Sequence, residues 1–157
     1  MLEKLFPKQL DNDYRGAPIA KWIFIAMVVL TVARSLAHVF LPDGGAQSIA
    51  TIPLDDFTAN GAAATIHIFA LWGLSQLLFG LLYVVVLWRY QALIPLMWLF
   101  ILTEYSGRLL LTFAKPFETH GTAPGAIGNY IFVPLALIML FLSLRNVEDN
   151  QIKRRHT

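Results

Sequence analysis

Four stretches of the chain shed nearly all their polar residues, while the intervals between them keep theirs. KWIFIAMVVLTVARSLAHVF occupies 21–40, AAATIHIFALWGLSQLLFGLLYVVVLW 62–88, ALIPLMWLFILTEYSGRLLLTF 92–113 and AIGNYIFVPLALIMLFLSL 126–144. Each comes close to, or exceeds, the ~20 residues that a helix needs to cross a hydrocarbon core. The runs are continuous rather than alternating, which argues against barrel strands. A helix satisfies its own backbone in lipid, so the pattern predicts an all-α, antiparallel bundle of four transmembrane helices. Residues 1–157 form a single membrane domain in this reading, with loops at 41–61 and 114–125 on one side and a tail at 145–157 on the other. The first stretch is expected to remain in the mature chain. Its apolar run exceeds that of cleavable signals, and Arg34 and His38 stand where a cleavage site would fall.

Punctuation between the stretches fits the same plan. Pro42, Asp43, Gly44 and Gly45 mark a turn after the first helix, and Thr58 or Asn60 can cap the second. The short link WRYQ predicts a tight hairpin between the second and third helices. Pro95 falls near the start of the third, where a missing donor costs little, and Pro134 falls inside the fourth, where it thins the hydrogen bonding. Gly73 and Gly80 share a face with Gln76, a small-residue seam able to approach a neighbouring helix.

Composition sharpens the class. Of 157 residues, 57% are hydrophobic and only 14% charged, and mean hydropathy is +0.59. A soluble domain carries about 25% charged residues, so this surface is built to face lipid. The net charge of +2 does not point to nucleic acid, because the Lys and Arg collect at the ends of apolar runs. Lys4, Lys8, Arg15, Lys21, Arg89, Arg145, Lys153, Arg154 and Arg155 flank one side, and Lys115 alone flanks the other. That bias puts both termini in the cytoplasm of a multi-pass protein of the inner (plasma) membrane. The chain has no cysteine, which removes thiolate chemistry, disulfides and Cys-ligated metals.

Against this background the segment ILTEYSGRLLLTF stands out, because Glu104 and Arg108 place two charges inside a span. A charge at helix centre costs about 2.5–3.5 kcal/mol on insertion scales, so the pair is expected to face the protein interior. Their spacing of four puts them on one helical face. The first helix carries Thr31, Arg34, Ser35 and His38 at spacings of three and four, the second carries His67, and the fourth opens with Asn129 and Tyr130. Helix rise places Glu104 about 2 Å, Arg34 about 5 Å, and His38 and His67 about 11–13 Å from mid-membrane toward the outer side. All four helices therefore offer polar groups to the outer half of the membrane.

The expectation is a polar pocket in that half, opening outward, for a small amphipathic or anionic-headed molecule. Glu104 and His67 are the candidates for proton transfer there, and Arg34, His38, Arg108, Asn129 and Tyr130 for binding the ligand. Whether the protein is an enzyme is left open. No cofactor and no metal are expected: His38 and His67 come with no haem motif, and Glu104 lies about 9–11 Å deeper than either. The alternatives are a non-catalytic structural or accessory subunit, in which these charges only lock helices together, and a small transporter working as an oligomer. The partners expected are the bilayer, the small ligand, and a second copy or a larger membrane complex, with no nucleic acid.

The orientation is checked by labelling single cysteines in this cysteine-free chain. A cysteine replacing His120 should react with a membrane-impermeant maleimide on intact cells. One replacing Arg89 should react only after permeabilisation.

Overall fold

The structure, a computed structural model, describes residues 2–145. Among the described residues all regular structure is helical: a short turn α1 (Leu2–Leu5), then α2 (Pro18–Phe40), α3 (Ala59–Arg89), α4 (Ile94–Ala114) and α5 (Pro124–Leu144). The last four are each long and apolar enough to cross a membrane. Of the tail expected at 145–157, only Arg145 lies within the described residues.

Helix starts fall up to three residues from where apolarity alone drew them, because backbone chemistry sets them. Proline opens α2 and α5, and α4 has Pro95 in its first turn; all three sit where the helix has no donor to lose. The Thr58 hydroxyl accepts the Gly61 N–H at 3.2 Å, starting α3 at Ala59, upstream of its apolar run.

Packing is uneven. Helix α2 lies along α3 and α4 lies along α5, with α2 also touching α5, whereas α3 and α4 barely meet beyond their joining turn. The α2–α3 seam is close because glycines make it so. A Cβ placed on Gly73 would stand 2.6 Å from the Cβ of His38 and 3.1 Å from the Ser35 carbonyl oxygen. At Gly80 it would stand 2.9 Å from Val32. The small-residue face read in the sequence is thus used within the chain. Phe24, Tyr83 and Trp98 form the aromatic centre, where Trp98 donates its indole N–H to the Ala20 carbonyl at 3.2 Å. That bond satisfies a fully buried donor across two helices.

Both ends of the helices are tied. At one end the lead segment before α2 crosses beneath α4 and α5. The Ala17 N–H donates to the Leu142 carbonyl at 3.1 Å, and the Tyr14 and Ser143 hydroxyls pair at 3.0 Å. Burial raises the Tyr14 phenol above its ordinary range, more than the Ser143 bond lowers it. At the other end, the 41–58 connection has its own order. The Asp43 carboxylate accepts N–H groups from Gly45 (2.9 Å), Gln47 (3.1 Å) and Ser48 (2.7 Å). Partial burial pushes that carboxyl up, but these backbone donors outweigh it and hold it below the ordinary range. Gly44 and Gly45 take positive φ of 60° and 73°, which the tight turn requires. Ala46, Ile52 and Leu54 then pack on Ile66 and Phe69 of α3. The second connection hooks on where the Thr51 hydroxyl donates to the Gly121 carbonyl at 3.0 Å.

A side chain at Gly73 has nowhere to go but into α2 backbone. Gly73→Val should lower stability in detergent by roughly 1–3 kcal/mol, read from thermal unfolding. Gly125→Ala, where a Cβ meets nothing within 4 Å, should leave stability unchanged.

Candidate functional site

The missing contact between α3 and α4 leaves a cavity of about 520 Å³. Its α3 wall is Trp72, Ser75, Gln76, Phe79 and Tyr83, residues spaced three and four apart on one helical face. The α4 wall repeats the pattern with Phe100, Thr103, Glu104, Gly107, Arg108 and Leu111, and Thr31 of α2 closes the back. The rim residues Phe79, Phe100 and Leu111 are 50%, 39% and 56% exposed, so the cavity opens sideways onto the apolar flank of the molecule. This differs from the outward-facing pocket expected from the sequence. The reason is that α2 fills the space behind while nothing fills the α3–α4 gap in front.

The polar part of the cavity is organised around one oxygen. Oε1 of Glu104 accepts from Arg108 Nε at 3.0 Å and Nη2 at 2.5 Å, and from Gln76 Nε2 at 3.1 Å. Arg34 Nη2 stands 3.8 Å from the same oxygen. Three helices thus converge on a single carboxylate. Arg108 lies one turn beyond Glu104 on α4, where i,i+4 spacing brings it back over the acid. Gln76 reaches in from α3 and Arg34 from α2, where its Nη1 also donates to the Tyr105 hydroxyl at 3.4 Å.

Aromatic faces carry the rest of the charge. The Arg108 guanidinium carbon lies 4.8 Å from the Trp72 ring centroid and 5.4 Å from that of Tyr105, and Arg34 stands about as far from both rings, at 6.0 and 5.9 Å. Rings within about 6 Å attract a cation through their quadrupole, which stabilises a guanidinium with little water around it. The two Arg are therefore held by one carboxylate and two rings, and only Arg108 of the two lines the cavity.

Other residues singled out in the sequence lie elsewhere. His38 is buried and donates from Nδ1 to the Gly44 carbonyl at 2.7 Å, with its ring 4.7 Å from that of Trp72. It fastens the 41–58 connection to α2 and stands behind the Trp72 wall. His67 is exposed on α3 and is not part of the lining, and Tyr130 is 57% exposed on α5. Asn129 is buried at the start of α5 with its Oδ1 unpartnered, also outside the cavity. The structure thus brings Arg34, Glu104 and Arg108 together and leaves His38, His67, Asn129 and Tyr130 apart from them.

Gln76 and Trp72 are not among the site residues expected from the sequence. Both belong to the polar centre. The available signal was the Trp72, Gln76, Phe79, Tyr83 stripe, which lies beside the face of α3 that carries Gly73 and Gly80. Among the described residues no group of three His, Asp or Glu side chains gathers as a metal site.

Compared with protein-family profiles, with curated proteins and with solved structures, the chain matches none. The functional reading therefore rests on these side chains.

Removing the shared acid should leave two guanidinium groups without their counter-charge. Breaking a fully buried pair costs ~3–5 kcal/mol, and because 33% of the Glu104 side chain is exposed, Glu104→Ala should cost about 1–3 kcal/mol. Thermal unfolding in detergent reads this, and a triple variant that also carries Arg34→Met and Arg108→Met should recover much of the loss.

Proposed function

We propose that this protein binds a small amphipathic molecule dissolved in the membrane, seating its head group at Glu104, Arg108 and Gln76 and its apolar tail among Phe79, Tyr83, Phe100 and Leu111. In this reading the four spans run antiparallel in the inner membrane with both termini in the cytoplasm, in keeping with the Lys and Arg that crowd the flanks on that side. The observation that carries it is the pairing of a laterally open apolar cavity with a single polar centre inside it. Ligand sites are mostly apolar with a few convergent polar groups, and this one has that build. Its mouth faces acyl chains, so a lipid-soluble molecule can enter without crossing water. Ser75 and Thr103 also line the cavity, but their hydroxyls donate to the Leu71 and Leu99 carbonyls at 3.1 and 2.9 Å, so neither has a donor left for a ligand. If the bound molecule is converted, the group placed to exchange a proton with it is the Glu104 carboxylate.

A second reading has an observation of its own. The Glu104 centre ties α2, α3 and α4 together, which is what a purely structural clamp in an accessory subunit would do.

Gly107 separates the two. It lines the cavity, and a Cβ there meets nothing within 4 Å, so a larger side chain can fill the space without pressing on the helices. Gly107→Leu should keep the stability of the unaltered protein and lose the lipid-like molecules that copurify with it, read by mass spectrometry of solvent extracts. Retention of the same molecules at the same stoichiometry would favour the clamp.

A further inference from the structure

Which head group the cavity accepts follows from counting what its polar atoms lack. Gln76 is 6% exposed, and its amide nitrogen is committed to Glu104 at 3.1 Å. Its carbonyl oxygen, Oε1, is buried and has no hydrogen-bond partner. A buried acceptor left unpaired costs about 1–3 kcal/mol, so this atom calls for a donor. Glu104 offers a second, more open acceptor. Its four polar contacts all fall on Oε1, which leaves Oε2 as the carboxylate oxygen a ligand can reach. On the donor side, Arg108 already spends Nε and Nη2 on Glu104 and lays its face toward Trp72.

Resting on the reading of the cavity as an amphiphile site, we propose that its ligand is a neutral long-chain molecule with a hydroxyl head, donating its proton to Gln76 Oε1 or Glu104 Oε2. The charge balance selects neutrality. An anionic head would sit against the Glu104 carboxylate, and the free acceptors would repel it. An ammonium head would meet the Arg108 guanidinium that lines the same cavity, and either ion would leave its hydration behind in lipid. A hydroxyl satisfies the buried acceptor at no such cost, and its alkyl chain continues along the Phe79, Tyr83 and Phe100 wall. The sequence alone led to a small amphipathic or anionic-headed molecule, with Arg34 and Arg108 among the residues that bind it. That reading counted charges without knowing that Arg108 is paired to Glu104 through Nε and Nη2 and that Arg34 does not line the cavity.

Trp72 lines the site and supplies the readout. The full chain is placed in phosphatidylcholine nanodiscs and titrated with three long-chain probes brominated on the carbons next to the head group: an alcohol, its methyl ether and the corresponding carboxylate. Bromine quenches a nearby indole, and the Trp72→Phe variant gives the contribution of the other tryptophans. The expected result is Trp72-dependent quenching by the alcohol at a concentration about tenfold lower than by the ether, the worth of one hydrogen bond to a buried acceptor. Gln76→Met should narrow that gap while leaving the ether curve in place. The comparison between probes uses the unaltered protein, so it stands whether or not the Gln76 variant folds. Equal curves for alcohol and ether would overturn the hydroxyl assignment and leave the amphiphile site standing, as would tightest binding of the carboxylate. An absence of Trp72-dependent quenching by all three probes would overturn both.

Discussion

One carboxylate oxygen in the middle of a membrane-spanning helix decides how this molecule is put together. Two arginines at this depth would be costly if left to themselves, and a single acid on α4 answers both while taking a third bond from Gln76. Because the donors come from α2, α3 and α4, neutralising charge and fixing helix positions become the same act. The aromatic faces of Trp72 and Tyr105 complete it, standing in for the water that a guanidinium would otherwise keep.

That centre sits between two kinds of helix contact. On one side α2 and α3 are pressed together by glycines, closely enough that their backbones nearly touch at Gly73. On the other, α3 and α4 are joined by a tight turn yet diverge into a cavity, lined by large side chains that do not interlock. Lipid offers no hydrophobic drive to close such a gap, since acyl chains are as apolar as Leu and Phe. Shape alone decides where helices meet, and small residues occur at the seam while Phe79, Phe100 and Leu111 stand at the opening. Tethers at both ends hold this arrangement: the Tyr14–Ser143 pair below, and the Asp43 turn with the Thr51–Gly121 hook above.

The helices were plain in the sequence, since long apolar runs have few other solutions in lipid, and their starts needed only proline and Thr58 to be placed. Glu104 and Arg108 could be paired from their spacing, and Arg34 from its depth. What spacing could not supply was rotation about each helix axis relative to its neighbours. His67 and Gln76 sit on nearly opposite faces of α3, nine residues apart, and only the glycine seam says which face turns inward. Reading Gly73 and Gly80 as an intrachain contact would have brought Gln76 and Trp72 into the polar centre and left His67 outside. His38 was visible as a polar residue on the right stripe of α2, yet its partner is the carbonyl of Gly44 in a turn whose path no periodicity encodes.

A mouth on the flank changes what sets occupancy. A molecule that reached such a site from the bilayer would already be concentrated there by partition, and it would move in two dimensions. Modest intrinsic affinity is then sufficient, no lid has to open, and residence tracks the make-up of the surrounding leaflet rather than any concentration in the aqueous phase. The unfilled gap between α3 and α4 would thus report on the membrane itself.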